Sequence, residues 1–156
     1  MTARLSLAVA TVLGVGYVPF APGTFGSLAG LVVFAVVRAT GQPVVELAAI
    51  VAVFLAGVWA ATAAETHFGL IDPGPVVIDE VLGMLVTLAL LPVSAFGVLI
   101  GFVLFRVFDV IKPPPCSHLE ALRGGWGVMS DDFMAAAYAH ACMRLLIWLA
   151  PGWMLA

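Results

Sequence analysis

Five carboxylates have the types and placement to hold a hard cation: Asp79-Glu80, Asp109 and Asp131-Asp132. Mg²⁺ takes oxygen ligands, keeps part of its water shell and is usually held by a few carboxylates plus substrate phosphate oxygens. No ligand-type His or Cys pair accompanies them, and an oxygen-only set suits Mg²⁺ or Mn²⁺ over Zn²⁺. Two acidic pairs on one face coexist only with a cation between them or with raised pKa values. Arg106, Asp109 and Lys112 follow at i, i+3 and i+6. On a helix the first two share a side, as do the last two. Arg106 can grip phosphate oxygens with its fork and Lys112 as a point charge, leaving Asp109 for metal binding or acid–base work. The structural alternative is an ion-pair ladder that satisfies itself. For Asp79-Glu80 and Asp131-Asp132, each read as opening a helix, it is simple complementation of the helix dipole. The candidate catalytic residues are Asp79, Glu80, Asp109 and Asp132, with nucleophile and base left open among them. The candidate metal ligands are the same four and Asp131.

Two glycine-bearing segments stand beside these acids. Pro22-Gly-Thr-Phe-Gly-Ser27 leads into an apolar helix. Glycine lets backbone N–H groups approach an anion, and a helix N-terminus favours negative charge. Thr24 and Ser27 are candidates for substrate binding, or for capping that helix. Gly124-Gly-Trp-Gly127 reads as a second flexible loop ahead of Asp131-Asp132.

Other chemistries are excluded by what is missing. Six Lys and Arg residues supply no basic stripe for nucleic acid. There is no Gly-x-x-x-x-Gly-Lys-[Ser/Thr] nucleotide loop, no Asp-x-Asp-x-Thr motif, and no Pro-Ser-Gly-His element around the isolated His67, His118 and His140. Six residues separate Cys116 from Arg123, one too many for a cysteine-phosphatase loop. Cys116 and Cys142 show neither metal-type spacing nor a disulfide framework.

The elements that must position these groups are apolar. The 156-residue chain is 63% hydrophobic and 10% charged, with mean hydropathy +1.18. That places it in the membrane class, as a single domain over residues 1–156. Leu47–Ala64 runs 18 residues without a charge and reads as a transmembrane span. Gly26–Val37 is a shorter run ending at Arg38, after which Gly41-Gln42-Pro43 turns the chain. Val81–Phe105 holds 25 uncharged residues, broken by Pro92. One helix there would part Glu80 from Arg106 by about 39 Å. A hairpin at Pro92 instead returns them to the same face, and the hairpin is predicted. Asp131–Leu149 is the last span. Arg4 and Leu5–Val15 imitate a signal peptide without a cleavage site and read as a re-entrant or interfacial segment. The expected fold is all-α: a polytopic membrane bundle of four to five short helices. Arg4, Arg106, Lys112 and Arg123 share one face against Arg38 on the other, which makes the acidic face cytoplasmic.

The residues alone therefore point to a phosphate-plus-metal site at a membrane surface. A lipid phosphomonoester fits it, with acyl tails in the bilayer and headgroup in the loops. The rival is a small transporter or channel for a divalent cation or proton, which predicts acids along a through-path.

Four linked motifs give the chain a family likeness. They are Ala21-Pro-Gly-Thr-Phe-Gly-Ser27, Asp72-Pro with Val77-Ile-Asp-Glu-Val-Leu-Gly83, Phe105-Arg-Val-Phe-Asp-Val-Ile-Lys-Pro113, and Gly124-Gly-Trp-Gly-Val-Met-Ser-Asp-Asp132. In that order and spacing the chain resembles the phosphatidylglycerophosphatase A family of bacterial membrane lipid phosphatases. It departs at Ala136, often Gly in the family, and between Lys112 and Gly124, where one residue is missing. The resemblance implies Mg²⁺-dependent removal of the terminal phosphate of phosphatidylglycerophosphate, at the cytoplasmic face of the inner membrane.

Overall fold

A computed structural model describes residues 2–155. Among these residues the protein is all-helical, with no strand. The helices are α1 (Thr2–Ala10), α2 (Pro22–Arg38), α3 (Pro43–Phe68), α4 (Ile78–Leu88), α5 (Ala95–Ile111), α6 (Cys116–Leu119), α7 (Gly125–Leu149) and α8 (Pro151–Met154), with one 3₁₀ turn at Val15–Tyr17. Eight α-helices replace the expected four to five. The additions are short: α1 has nine residues, and α6 and α8 have four each.

Local chemistry sets most boundaries. Proline occupies the first turn of α2, α3 and α8, where its missing N–H costs nothing. Gly69 ends α3 at φ 67°, its N–H returning to Glu65 O. Ser94 caps α5, its Oγ accepting from Gly97 N at 3.1 Å. The expected break at Pro92 is present: α4 stops at Leu88 and α5 starts at Ala95. The two helices turn back on each other, so Glu80 and Arg106 meet at one end of the bundle.

Helix α4 is the axis of the molecule, with α2, α3, α5 and α7 packed around it. Ten of its eleven residues are buried. Met84 and Leu88 belong to one buried cluster with Phe105, Ala136, Ala139 and Met143, and Leu82 to a second with Met129. Helix α2 reaches α4 through a face of glycines. A Cβ at Gly26 would stand 2.8 Å from Val77 Cβ, and one at Gly30 2.9 Å from Met84 Cβ. Small residues let helix backbones approach where larger ones would hold them apart. The departure at Ala136 falls here, in a fully buried position.

Among the described residues one helix, α3, is long and apolar enough to cross a bilayer: it has 26 residues, and an 18-residue stretch of it has mean hydropathy 2.3. Large apolar side chains are also exposed on α2 (Val32, Val36), α5 (Leu99, Val103) and α7 (Leu145, Trp148). The N-terminal segment lies along α3. Ala10 O accepts from Val77 N at 2.9 Å, tying this segment to the residue that precedes α4.

Two expected boundaries are corrected. Helix α7 begins at Gly125, six residues before Asp131, so Gly124–Gly127 is the entry of a helix and not a flexible loop. The cause is close packing. A Cβ on Gly125 would strike the Val58 carbonyl, and one on Gly127 would sit 2.5 Å from Leu122 O. Gly125 N also donates to Thr62 Oγ1 at 2.8 Å. Asp131-Asp132 therefore lies in the second turn of α7, where complementing the dipole no longer explains it. Helix α2 likewise begins at Pro22 with Ala21 as N-cap, so Thr24 and Ser27 lie inside it and cap nothing.

Candidate active site

The N-terminus of α4, the C-terminus of α5, the second turn of α7 and the start of α2 meet around a cavity of about 250 Å³. Asp79 and Glu80 come from the first turn of α4, and both are buried. Asp79 Oδ1 accepts from Glu80 N at 3.1 Å, and Asp131 Oδ1 from Asp132 N at 2.9 Å. These local bonds aim the remaining oxygens inward. One ligand oxygen each from Asp79, Glu80 and Asp132 lies within 4.8 Å of the others.

The structure sorts the five candidate ligands into two groups. Asp79, Glu80 and Asp132 form the oxygen cluster. Asp109 and Asp131 line the same cavity, but each is engaged by a cation. Arg106 Nη1 lies 2.8 Å from Asp109 Oδ2 and 3.6 Å from Glu80 Oε1. Lys112 Nζ lies 2.6 Å from Asp131 Oδ2 and 3.3 Å from Glu120 Oε1. Of the ladder that is the structural alternative, one rung is present. Arg106 and Asp109 pair at i, i+3. Lys112, at φ 45°, leaves the helix and turns to α7. A left-handed C-cap swings its side chain off the helix face that Asp109 occupies.

Lys112 is firmly charged here. Burial acts to lower its pKa, but the Asp131 hydrogen bond and charge, with Glu120 and Asp132, raise it above the ordinary lysine value.

Thr24 and Ser27 are not among the lining residues. Ser27 is buried and its Oγ donates to Gly23 O at 2.9 Å, one turn back. The contribution of that segment is instead Ala21, Pro22 and Gly23. A Cβ at Gly23 would collide with Glu80 Oε1 and reach Arg106 Nη1 and Nη2 at 3.0 Å. Asp72 also lines the cavity, a role its place in the sequence did not reveal. It reaches there through φ 46°, a left-handed conformation that Asp tolerates. Its N–H is held by Glu65 Oε1 at 3.3 Å. Ala21, Asp72 and Lys112, three of the six non-glycine residues with positive φ among the described residues, line this cavity. Such conformations gather at functional sites.

The charge balance decides what can bind. Six carboxylates (Asp72, Asp79, Glu80, Asp109, Asp131, Asp132) face two cations (Arg106, Lys112), a formal excess of four negative charges. Glu80 Oε2 and Asp132 Oδ2 are buried and accept from no protein group. Such oxygens are costly unless a proton or cation satisfies them. An oxygen-only triad with two unpartnered acceptors fits a hard divalent cation.

The histidines take no part. His140 Nδ1 meets Thr87 O at 3.2 Å while Nε2 accepts from Arg144 Nε at 2.8 Å, so both ring nitrogens serve packing in the bundle. Cys116 and Cys142 are free thiols.

The family model described as phosphatidylglycerophosphatase A matches residues 8–147. A Bacteroides thetaiotaomicron protein named "Putative phosphatidylinositol-3-phosphatase" is 35% identical over 93% of this chain and 95% of its own length. The Haemophilus influenzae protein named Phosphatidylglycerophosphatase A is 35% identical over 91% of this chain and 86% of its own. The Escherichia coli protein of that name is 31% identical over 85% and 78%. No solved structure matches the chain.

Proposed function

The chain belongs to the phosphatidylglycerophosphatase A family and is a phosphatase; from that premise we propose that it hydrolyses phosphatidylglycerophosphate to phosphatidylglycerol and phosphate, with Mg²⁺, as a multi-pass protein of the bacterial inner membrane whose site faces the cytoplasm. The observation that carries the metal dependence is the charge balance. A phosphomonoester dianion does not enter a cavity with a formal excess of four negative charges unless cations or protons offset it, and the oxygen-only cluster suits a cation. Asp79, Glu80 and Asp132 would hold the ion, two of them through oxygens, Glu80 Oε2 and Asp132 Oδ2, that otherwise lack partners. When bound, it would offset the carboxylate charge and polarise the phosphoryl oxygens.

The chain's own residues supply the rest. Arg106 and Lys112 stand at the cavity wall, oriented by Asp109 and Asp131, and neutralise charge that develops on the phosphate. Gly23 lets the backbone of α2 approach Glu80 and Arg106, leaving room for the phosphate beside them. Water attacks phosphorus directly while a carboxylate takes its proton, or it hydrolyses a phosphate first transferred to a carboxylate. Either way the bond from phosphorus to the glycerol oxygen breaks, and that oxygen gains a proton from a carboxyl or from water. Asp79, Glu80, Asp109 and Asp132 are the carboxylates placed to serve as nucleophile or base.

Membrane spanning by α2, α3, α5 and α7, with α4 enclosed among them, accounts for the large apolar side chains these four helices expose. The transporter reading fares worse. All the cavity acids lie at one end, and beyond them the interior is filled by Leu82, Met84, Leu88 and Phe105.

Phosphate release from phosphatidylglycerophosphate by purified protein tests the reading. Turnover should stop in EDTA and return with added Mg²⁺. Full turnover in EDTA refutes the metal dependence, and no release under either condition refutes the substrate. Parallel assays with phosphatidylinositol 3-phosphate decide between the headgroups that the relatives' names carry.

A further inference from the structure

We infer that the outer face of α5 is an acyl-chain subsite, which seats one fatty chain of the substrate while its phosphate occupies the charged cavity. The inference rests on the lipid-phosphatase reading above and adds how the lipid approaches. A shallow apolar groove of about 370 Å³ runs along α5, lined by Phe102, Val103, Arg106, Val107, Val110 and Ile111. Arg106 is its one charged member, and Arg106 also lines the carboxylate cavity. Arg106 is thus the one residue common to both, with Nη1 facing Asp109 and Glu80.

The helix packing leaves this side open. Helices α2 and α5 both flank the site and both pack on α4, but they make little contact with each other. A lipid approaching from the side between α2 and α5 meets Arg106, whose guanidinium lies against Gly23 and closes the gap at the site. Leu99, Val103 and Val107 recur every four residues and are all exposed, so the apolar stripe continues from Arg106 toward the middle of the helix. A phosphomonoester at Arg106 would direct its acyl chain along this stripe.

A second apolar groove provides the internal control. It lies between α3 and α7, about 330 Å³, lined by residues including Ile50, Phe54 and Phe133, and it shares no residue with the charged cavity.

The test uses phosphatidylglycerophosphate carrying a diazirine in one acyl chain, with the purified protein in detergent. After illumination, peptide mapping should place label on residues 99–107, above that from a phosphatidylcholine with the same chain, and unlabelled phosphatidylglycerophosphate should remove the excess. Label concentrated on the α3–α7 groove, or equal for the two lipids, overturns the inference. Phosphate release by the same preparation separates the causes. Release with label elsewhere refutes the subsite alone, whereas no release refutes the underlying reading and the subsite with it. Val103→Trp, which fills the groove, should raise KM for the long-chain lipid about tenfold with a much smaller change in kcat, as expected for lost uniform binding. An unchanged KM in a folded Val103→Trp protein also overturns it.

Discussion

The two ends of α4 carry opposite solutions to the same problem. At its C-terminus, Arg38 Nη1 and Nη2 donate to Leu91 O and Leu88 O at 2.8 and 3.1 Å. Arg38 Nε stands 2.9 Å from Glu46 Oε1, while Glu46 Oε2 accepts from Leu90 N at 2.9 Å. One cation and one anion there pair with each other and tie together the backbone of the turn. At the N-terminus, six carboxylates share two cations and leave buried oxygens unpartnered. The first arrangement is closed and stabilises the hairpin. The second is left electrostatically incomplete, as the proposed binding of a cation and a phosphate there would require. Stability given up at such a place is a common cost of activity.

The contrast is sharpest at Asp132. Asp132→Asn removes one of the mutually repelling carboxylates and keeps its shape. Turnover should fall by about 10³, the scale of losing a preorganised catalytic group. The thermal midpoint in EDTA should hold or rise. A large drop in midpoint would make Asp132 a structural residue and erase the difference between the two ends.

Arg38→Ala should do the reverse. It leaves the largely buried Glu46 without its cation and takes one of two donors from each of Leu88 O and Leu91 O, at a cost of about 3 kcal/mol. The midpoint should fall by several degrees, while turnover per folded molecule stays near wild type. Equal losses of stability and turnover would show that the two ends are not independent.

Gly23→Ala probes the joint between backbone packing and chemistry. Its Cβ must displace Glu80 or Arg106, and overpacking of this kind costs about 1–3 kcal/mol. Turnover should fall more than stability, because the groups displaced are those at the cavity. An intact enzyme would mean that α2 shifts freely and that its tight contact with α4 is not needed for catalysis.

The smallest effect concerns pH. The folded pKa of Lys112 is raised above its unfolded value. Its stabilising contribution is then complete below the unfolded value of about 10.4 and is lost only as pH climbs through the folded one. Lys112→Arg should therefore leave the shape of the pH–rate profile between about pH 6 and 9 unchanged. A new inflection in that range would show that the lysine titrates during turnover.

Much of the fold and of the site is legible in the residues alone. The uncharged length of Val81–Phe105 with Pro92 inside it predicts a hairpin, because proline cannot continue the first helix. The hairpin by itself brings Glu80 to Arg106. The acids of the cavity all stand out as polar windows in an apolar chain. What the residues do not disclose is the partnering. Lys112 looks like the third rung of a helical ladder, yet a single left-handed residue gives it to Asp131 on another helix. Thr24 and Ser27 look like anion binders, yet the backbone of Gly23 holds that place at the cavity. Gly125 and Gly127 look like loop residues, yet their missing side chains admit the start of α7.

Composition and spacing by themselves determined the helical class, the apolar spans, the turn at Pro92 and the set of charged residues open to chemistry. These follow from local energetics: burial of apolar runs, proline's missing donor, and the cost of charge away from water. Only the tertiary structure decided which carboxylates converge and which are neutralised, since Asp79 and Asp132 lie 53 positions apart in the chain. Their approach depends on how closely α2, α5 and α7 pack on α4. That closeness is fixed by contacts such as Gly30 on Met84 and Gly83 on Phe105, each a property of two surfaces together.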